Sequence, residues 1–147
     1  MGARSPVIMG ILNLTPDSFS DGGQFDSVQS AVQAATAMVA HGAQIIDVGG
    51  ESTRPGAERI SLEVELERVI PAIEQLSLKG IYVSIDTMRA EVAKAAVDAG
   101  AQMVNDVSGG LSDPHMLTTV ARLGVPIVLM HWRGPSKTMQ ENIHYAN

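Results

Sequence analysis

Five short apolar runs, each followed by a turn and then a helical repeat, constrain the 147-residue chain more than any other feature. They begin near residues 7, 44, 81, 102 and 125. A β/α repeat of this kind is an α/β pattern that implies parallel strands and right-handed crossovers. Two architectures accommodate it: an open doubly wound sheet, or a (β/α)8 TIM barrel whose first five strands and four helices lie here. A whole barrel takes roughly 250 residues. Residues 1–147 would then be the N-terminal portion of a single barrel domain.

The central unit is Tyr82-Val-Ser-Ile-Asp-Thr-Met-Arg89. Its β-prone run delivers Asp86 just as helical spacing begins at Ala90, Val92, Ala93, Ala96 and Val97, with Thr87 as an expected N-cap and Gly100 as the stop. Before it, Val7-Ile-Met-Gly-Ile-Leu12 reads as a strand buried on both faces, ending in Asn13. The polar stretch from Leu14 to Gly23 is long for a β/α connection, which fits a functional loop or a mobile surface turn equally. Asp26 or Ser27 is expected to cap the first helix, with a stripe of Val28, Ala31, Val32, Ala35, Met38 and Val39 running to Gly42. Gln44–Val48 is the second strand, and it leads into Gly49-Gly-Glu-Ser-Thr-Arg-Pro-Gly56. That loop combines backbone freedom, two hydroxyls and a guanidinium, parts suited to an anion, although a solvated loop explains it as well. Ser61 opens a second helix that Pro71 should kink and Gly80 should close. Gln102–Val107 forms the fourth strand, Asp113-Pro114 starts a fourth helix as N-cap and N1, and Val125–Met130 forms the fifth strand.

Composition narrows the function. A formal net charge of −6 argues against nucleic-acid or membrane-surface partners. No apolar run approaches a membrane span and the first residues lack a signal peptide's pattern, so a cytoplasmic chain is expected. The absence of cysteine removes disulfides, thiolate catalysis and cysteine zinc sites together. No HExxH or Cys/His cluster is present either. His41, His115 and His144 read as surface residues; His131 ends a strand, but Trp132 beside it suggests packing as readily as chemistry.

Polar residues fall where the strands end: Asn13, Asp47, Asp86, Asn105 and His131. In parallel α/β folds the chemistry sits at that end of the strands. Each also has a structural explanation, Asp86 as a helix cap, Asn105 as a loop tie and Asp47 as a buried strut. Their common position favours function for Asp86 and Asn105, since a carboxylate beside a carboxamide suits a flat heterocycle with donors and acceptors. Met130, last in its strand, is the one methionine placed to touch a ligand; the others read as core.

These stretches together resemble dihydropteroate synthase, in its bacterial, mycobacterial-like form. Met9–Gly23 is similar to that family's first signature and Asp47–Gly56 to its second. Ser84-Ile-Asp-Thr87, Val104-Asn-Asp-Val-Ser-Gly-Gly110 and Leu129-Met-His-Trp132 extend the likeness over almost the whole chain. The resemblance implies a barrel enzyme of folate synthesis, a homodimer at full length. Such an enzyme joins p-aminobenzoate to 6-hydroxymethyl-7,8-dihydropterin diphosphate and releases diphosphate. Carried over by position, Asn13 would hold Mg2+ against the diphosphate, and Thr53, Asp86, Asn105 and Met130 would bind the pterin substrate. Asp86 and Asn105, with Asp21 from the first loop, would carry catalysis. Thr15, Pro16, Asp17 and Phe19 with Ser52, Arg54 and Pro55 would close over the aminobenzoate, a pocket for which sulfonamides would compete. The chain ends at Asn147, before the family's later segments, so residues 1–147 alone are expected to be inactive or nearly so. Two other readings are a non-catalytic pterin-binding fragment and a related pterin-binding methyltransferase domain. The Thr-Pro-Asp-Ser-Phe-Ser and Ser-Thr-Arg-Pro loops are not expected in the methyltransferase.

Overall fold

The computed structural model describes residues 5–16, 24–52 and 54–131. Within them the elements alternate strictly: β1 (Met9–Asn13), α1 (Gln24–Ala40), β2 (Ile45–Gly49), α2 (Leu62–Leu78), β3 (Val83–Asp86), α3 (Ala90–Asp98), β4 (Met103–Asp106), α4 (Met116–Leu123) and β5 (Ile127–Leu129). All four strand pairs are parallel and the sheet order is β1-β2-β3-β4-β5. A doubly wound sheet reverses its winding at a switch point; this one never does. Crossovers of one hand then place every helix on one face, which is how a barrel is wound.

The two faces of the sheet follow from the alternation of side chains along each strand. Gly10 faces α1, since a Cβ there would lie 2.8 Å from Met38 Sδ. On that side Leu12, Ile46, Val48, Val83, Ile85 and Val104 pack with Ala31, Ala35, Val69, Ile73, Val92 and Ala96 of the helices into one core. The opposite face carries Ile11, Asp47, Ser84 and Met103 in one register row and Asn13, Gly49, Asp86 and Asn105 in the next.

Sequence periodicity located every element but misplaced some of their ends and caps. The first strand is buried on one face only: Leu12 is in the core, whereas Ile11 is 53% exposed on the face that no described layer covers. Asp26 and Ser27 lie inside α1, which begins at Gln24, so neither is its N-cap. Ser61 does cap α2, accepting from Val64 N at 3.3 Å, and α2 runs through Pro71 to Leu78 without interruption. Thr87 is not the N-cap of α3. Its hydroxyl donates to Glu65 Oε1 at 2.6 Å and accepts from Arg89 N, so it is already committed when the helix starts after Arg89. The first amide of α3, Ala90 N, is taken instead by Asp113 Oδ2 at 2.8 Å. The same carboxylate accepts from His115 N, which sets Asp113 and Pro114 in a turn ahead of α4 rather than at its N-cap and N1.

Ile85 is fully buried at the middle of this sheet. Truncation by Ile85→Ala should lower stability by about 2–5 kcal/mol, read as a lower denaturant midpoint with an unchanged m-value.

Candidate active site

Asn13, Gly49, Asp86 and Asn105 are Cα partners across four neighbouring strands, so their side chains stand side by side at the strand ends. Gly49 is the gap in this row. A Cβ there would sit 3.4 Å from Asp86 Oδ2 and 3.6 Å from Asn13 Oδ1, so a carboxylate and an amide oxygen flank a position without a side chain. The three polar residues singled out from sequence therefore open onto one face.

Asp47 supports the row from within. It is 2% exposed, and its Oδ2 accepts from Asn105 Nδ2 at 2.9 Å, a bond that passes over β3. Its Oδ1 and the buried Ser84 Oγ, on the register partner of Asp47, have no hydrogen-bonded mate. Burial pushes the Asp47 carboxyl up, while Ser84 and Asn105 pull it back down. Asp86 moves further, from an ordinary 3.8 to about 7, first because burial penalises its charge and then because Asp47, Glu65, Asp106 and Glu51 surround it.

Glu65, Glu51 and Asp106 are each satisfied. Glu65, fully buried on α2, accepts from Thr87 and pairs with Arg89, which also lies 3.6 Å from Glu51 Oε2. Glu51 Oε1 accepts from Arg59 Nε at 3.2 Å and Ile60 N at 3.3 Å. Asp106 is closed in by Ser108 N, Ser108 Oγ and Gly110 N. The base of the second loop is thus tied to α2 and α3. Gly50 makes this approach possible: a Cβ there would meet Val69 Cγ1 at 2.9 Å, and its carbonyl accepts from Arg68 at 2.9 Å.

The remaining expected site residues are distributed as follows. Ser52 Oγ accepts from Arg54 N at 3.3 Å, and Arg54 and Pro55 are exposed on the second loop. Thr15 is half-buried and Pro16 exposed just beyond β1. Met130 is 49% exposed, with its N–H on Asp106 O at 3.2 Å. Asp17, Phe19, Asp21 and Thr53 lie outside the described residues, as do Trp132 and His144. His41 and His115 are exposed, as expected of surface residues. Sequence reasoning passed over Glu65 and Arg89. Glu65 falls three residues after Leu62 and four before Val69, on the apolar stripe of α2, and a carboxylate there signals a buried partner. Among the described residues, no cluster of three His, Cys, Asp or Glu side chains could hold a metal ion, and no helix is long and apolar enough to cross a membrane.

A one-way β/α winding that gathers its free polar side chains at the strand ends has the architecture of a barrel enzyme with a ligand-binding mouth. The model of the family described as pterin binding enzyme matches residues 9–147, and the chain belongs to that family. It is 58% identical to the dihydropteroate synthase of Mycobacterium leprae over 130 residues, 88% of this chain and 46% of that protein. Among solved structures, the Xanthomonas albilineans dihydropteroate synthase with 4-aminobenzoic acid aligns with a TM-score of 0.85 at 48% identity, over 95% of this chain and 49% of the other. The Yersinia pestis dihydropteroate synthase in complex with a sulfonamide drug aligns with a TM-score of 0.86 at 44% identity, over 97% and 52%. The chain spans about half the length of the curated relatives it matches.

Two measurements follow from the buried acids. Arg89→Met should cost about 3–5 kcal/mol, because it leaves the buried Glu65 charge without its guanidinium, and adding Glu65→Gln should recover part of the loss in a double-mutant cycle. The raised Asp86 carboxyl stabilises the folded chain only while protonated, so its contribution is present below the unfolded value near 3.8 and is lost as pH rises through about 7. Asp86→Asn should therefore stabilise the chain by about 2–4 kcal/mol at pH 8 and hardly at all at pH 4, as followed by thermal melts.

Proposed function

We propose that the chain is the pterin-holding portion of a dihydropteroate synthase, supplying the first five strands of its single barrel domain. In this reading the enzyme condenses 6-hydroxymethyl-7,8-dihydropterin diphosphate with p-aminobenzoate, giving 7,8-dihydropteroate and diphosphate. The observation that carries it is the row of Asn13, Asp86 and Asn105 on one face at adjoining strand ends. Family membership and relatives solved with 4-aminobenzoic acid and with 7,8-dihydropteroate support it.

Asp86 and Asn105 would grip the pterin ring, with Thr53 contributing from the second loop and Met130 from just beyond the fifth strand. As diphosphate departs, positive charge grows on the pterin methylene, and an ionised Asp86 would stabilise it. The chemistry of the donors fits Mg2+: Asn13 Oδ1 is a hard amide oxygen beside a carboxylate, and magnesium takes few protein ligands when substrate phosphates supply the rest. Asn13 would hold that ion, which when bound neutralises the leaving diphosphate. The first loop, with Thr15, Pro16, Asp17, Phe19 and Asp21, would close with Ser52, Arg54 and Pro55 over the aminobenzoate and exclude water from the electrophilic carbon. Sulfonamides would occupy the same pocket, and the Yersinia relative was solved in complex with one. A cytoplasmic homodimer is the assembly that goes with this role.

Calorimetric titration with the pterin diphosphate, with and without magnesium, tests the reading. Magnesium-enhanced binding is expected; no binding under either condition, or methyl transfer from a folate, would overturn it. Aminobenzoate turnover by residues 1–147 alone should be absent or nearly so. Because Asp86 must be ionised to act, pterin affinity should rise as pH is raised through about 7. Asp86→Asn should weaken binding by about tenfold or more at pH 8, with the difference from the parent chain narrowing at pH 6.

A further inference from the structure

Asn105 is built into the site in one orientation. Its Nδ2 donates to Asp47 Oδ2 at 2.9 Å, and its carboxamide makes no other hydrogen bond among the described residues. The two residues lie on β4 and β2, so their bond spans the intervening β3 at the level of Ser84 and Asp86. Ser84 is a small residue at this crossing, and it lets the longer side chains meet above it. Asp47 is 2% exposed and does not reach the mouth of the site, whereas Asn105 is only partly buried. Whatever Asp47 does for a ligand is therefore done through Asn105.

We propose that Asp47 is a positioning residue that fixes which way the Asn105 carboxamide faces, and so sets the order of acceptor and donor that the site offers a heterocycle. An ionised carboxylate only accepts, so it holds the amide nitrogen inward. Flipping the amide would bring its carbonyl oxygen against the buried carboxylate, leaving two acceptors face to face without a proton between them. Burial pushes the Asp47 carboxyl up, and the bond from Asn105 works against it by favouring the ionised form. With one N–H committed to Asp47, the carbonyl oxygen and the second N–H remain for a ligand in one fixed order. Such a pair complements a ring edge with an amino donor beside a nitrogen acceptor, as the 2-amino pyrimidinone part of a pterin provides. It opposes the 2-oxo counterpart, in which the ring nitrogen donates and the carbonyl accepts. This inference rests on the pterin reading above and adds to it the residue that separates amino from oxo heterocycles.

The test is a ratio of affinities. The chain is titrated with 6-hydroxymethyl-7,8-dihydropterin diphosphate and with its 2-oxo analogue, in parent form and as Asp47→Asn and Ser84→Ala. An asparagine at position 47 can pair with Asn105 in either orientation, so D47N should shrink the amino-over-oxo preference by about tenfold or more. S84A removes a neighbouring buried hydroxyl but keeps the carboxylate, and its preference should match the parent's. Equal weakening of both ligands by D47N, with the ratio unchanged, would make Asp47 a mere strut and overturn the proposal. Side-chain amide exchange in the parent chain gives a reading that needs no variant. One of the two Asn105 Nδ2 protons should be protected without ligand, and equal free exchange of both would also overturn the proposal. Failure of the parent chain to bind the pterin would instead overturn the functional reading, and this inference with it.

Discussion

Arg89 lies against two carboxylates that the fold has taken out of water, Glu51 at the base of the second loop and Glu65 inside α2. An unpaired charge at either place would cost several kcal/mol, so the position of this guanidinium constrains its whole surroundings. Thr87 adds a hydroxyl to Glu65, and Arg59 with the Ile60 amide completes Glu51. Loop, helix and strand end are thereby locked to each other through β3, the strand that carries Asp86. The base of the site is cross-linked because its buried acids have to be paired.

Asp86 is the exception among these acids, and its chemistry follows from being so. Asp47, Glu51, Glu65 and Asp106 all have donors, and their charges are turned on a fifth carboxylate for which the described residues supply none. Its affinity for protons is raised to about 7 by burial and by that company. A carboxyl poised in this way responds strongly to an arriving cation.

Sequence reading recovered the architecture because it rests on local signals: short apolar runs, helical stripes, and glycines such as Gly80 and Gly100 at helix ends with φ of 73° and 116°. It also found Asn13, Asp86 and Asn105, since the end of a strand is a position that can be counted. Long-range satisfaction of polar groups was not legible. Nothing near Ala90 announces that Asp113 caps its helix, and nothing near Thr87 announces that Glu65, twenty-two residues earlier, claims its hydroxyl. The choice between an open sheet and a barrel had the same difficulty, since both share the local repeat and differ only in which strands become neighbours.

Gly49 shows what the row of strand ends asks of its smallest member. A methyl group there would rest at ordinary contact distance from Asp86 and Asn13, so the fold could accept alanine at little cost. The same methyl would occupy the space that parts an amide oxygen from a carboxylate. Folding alone thus tolerates at this backbone position a side chain that would fill the gap between the two polar groups.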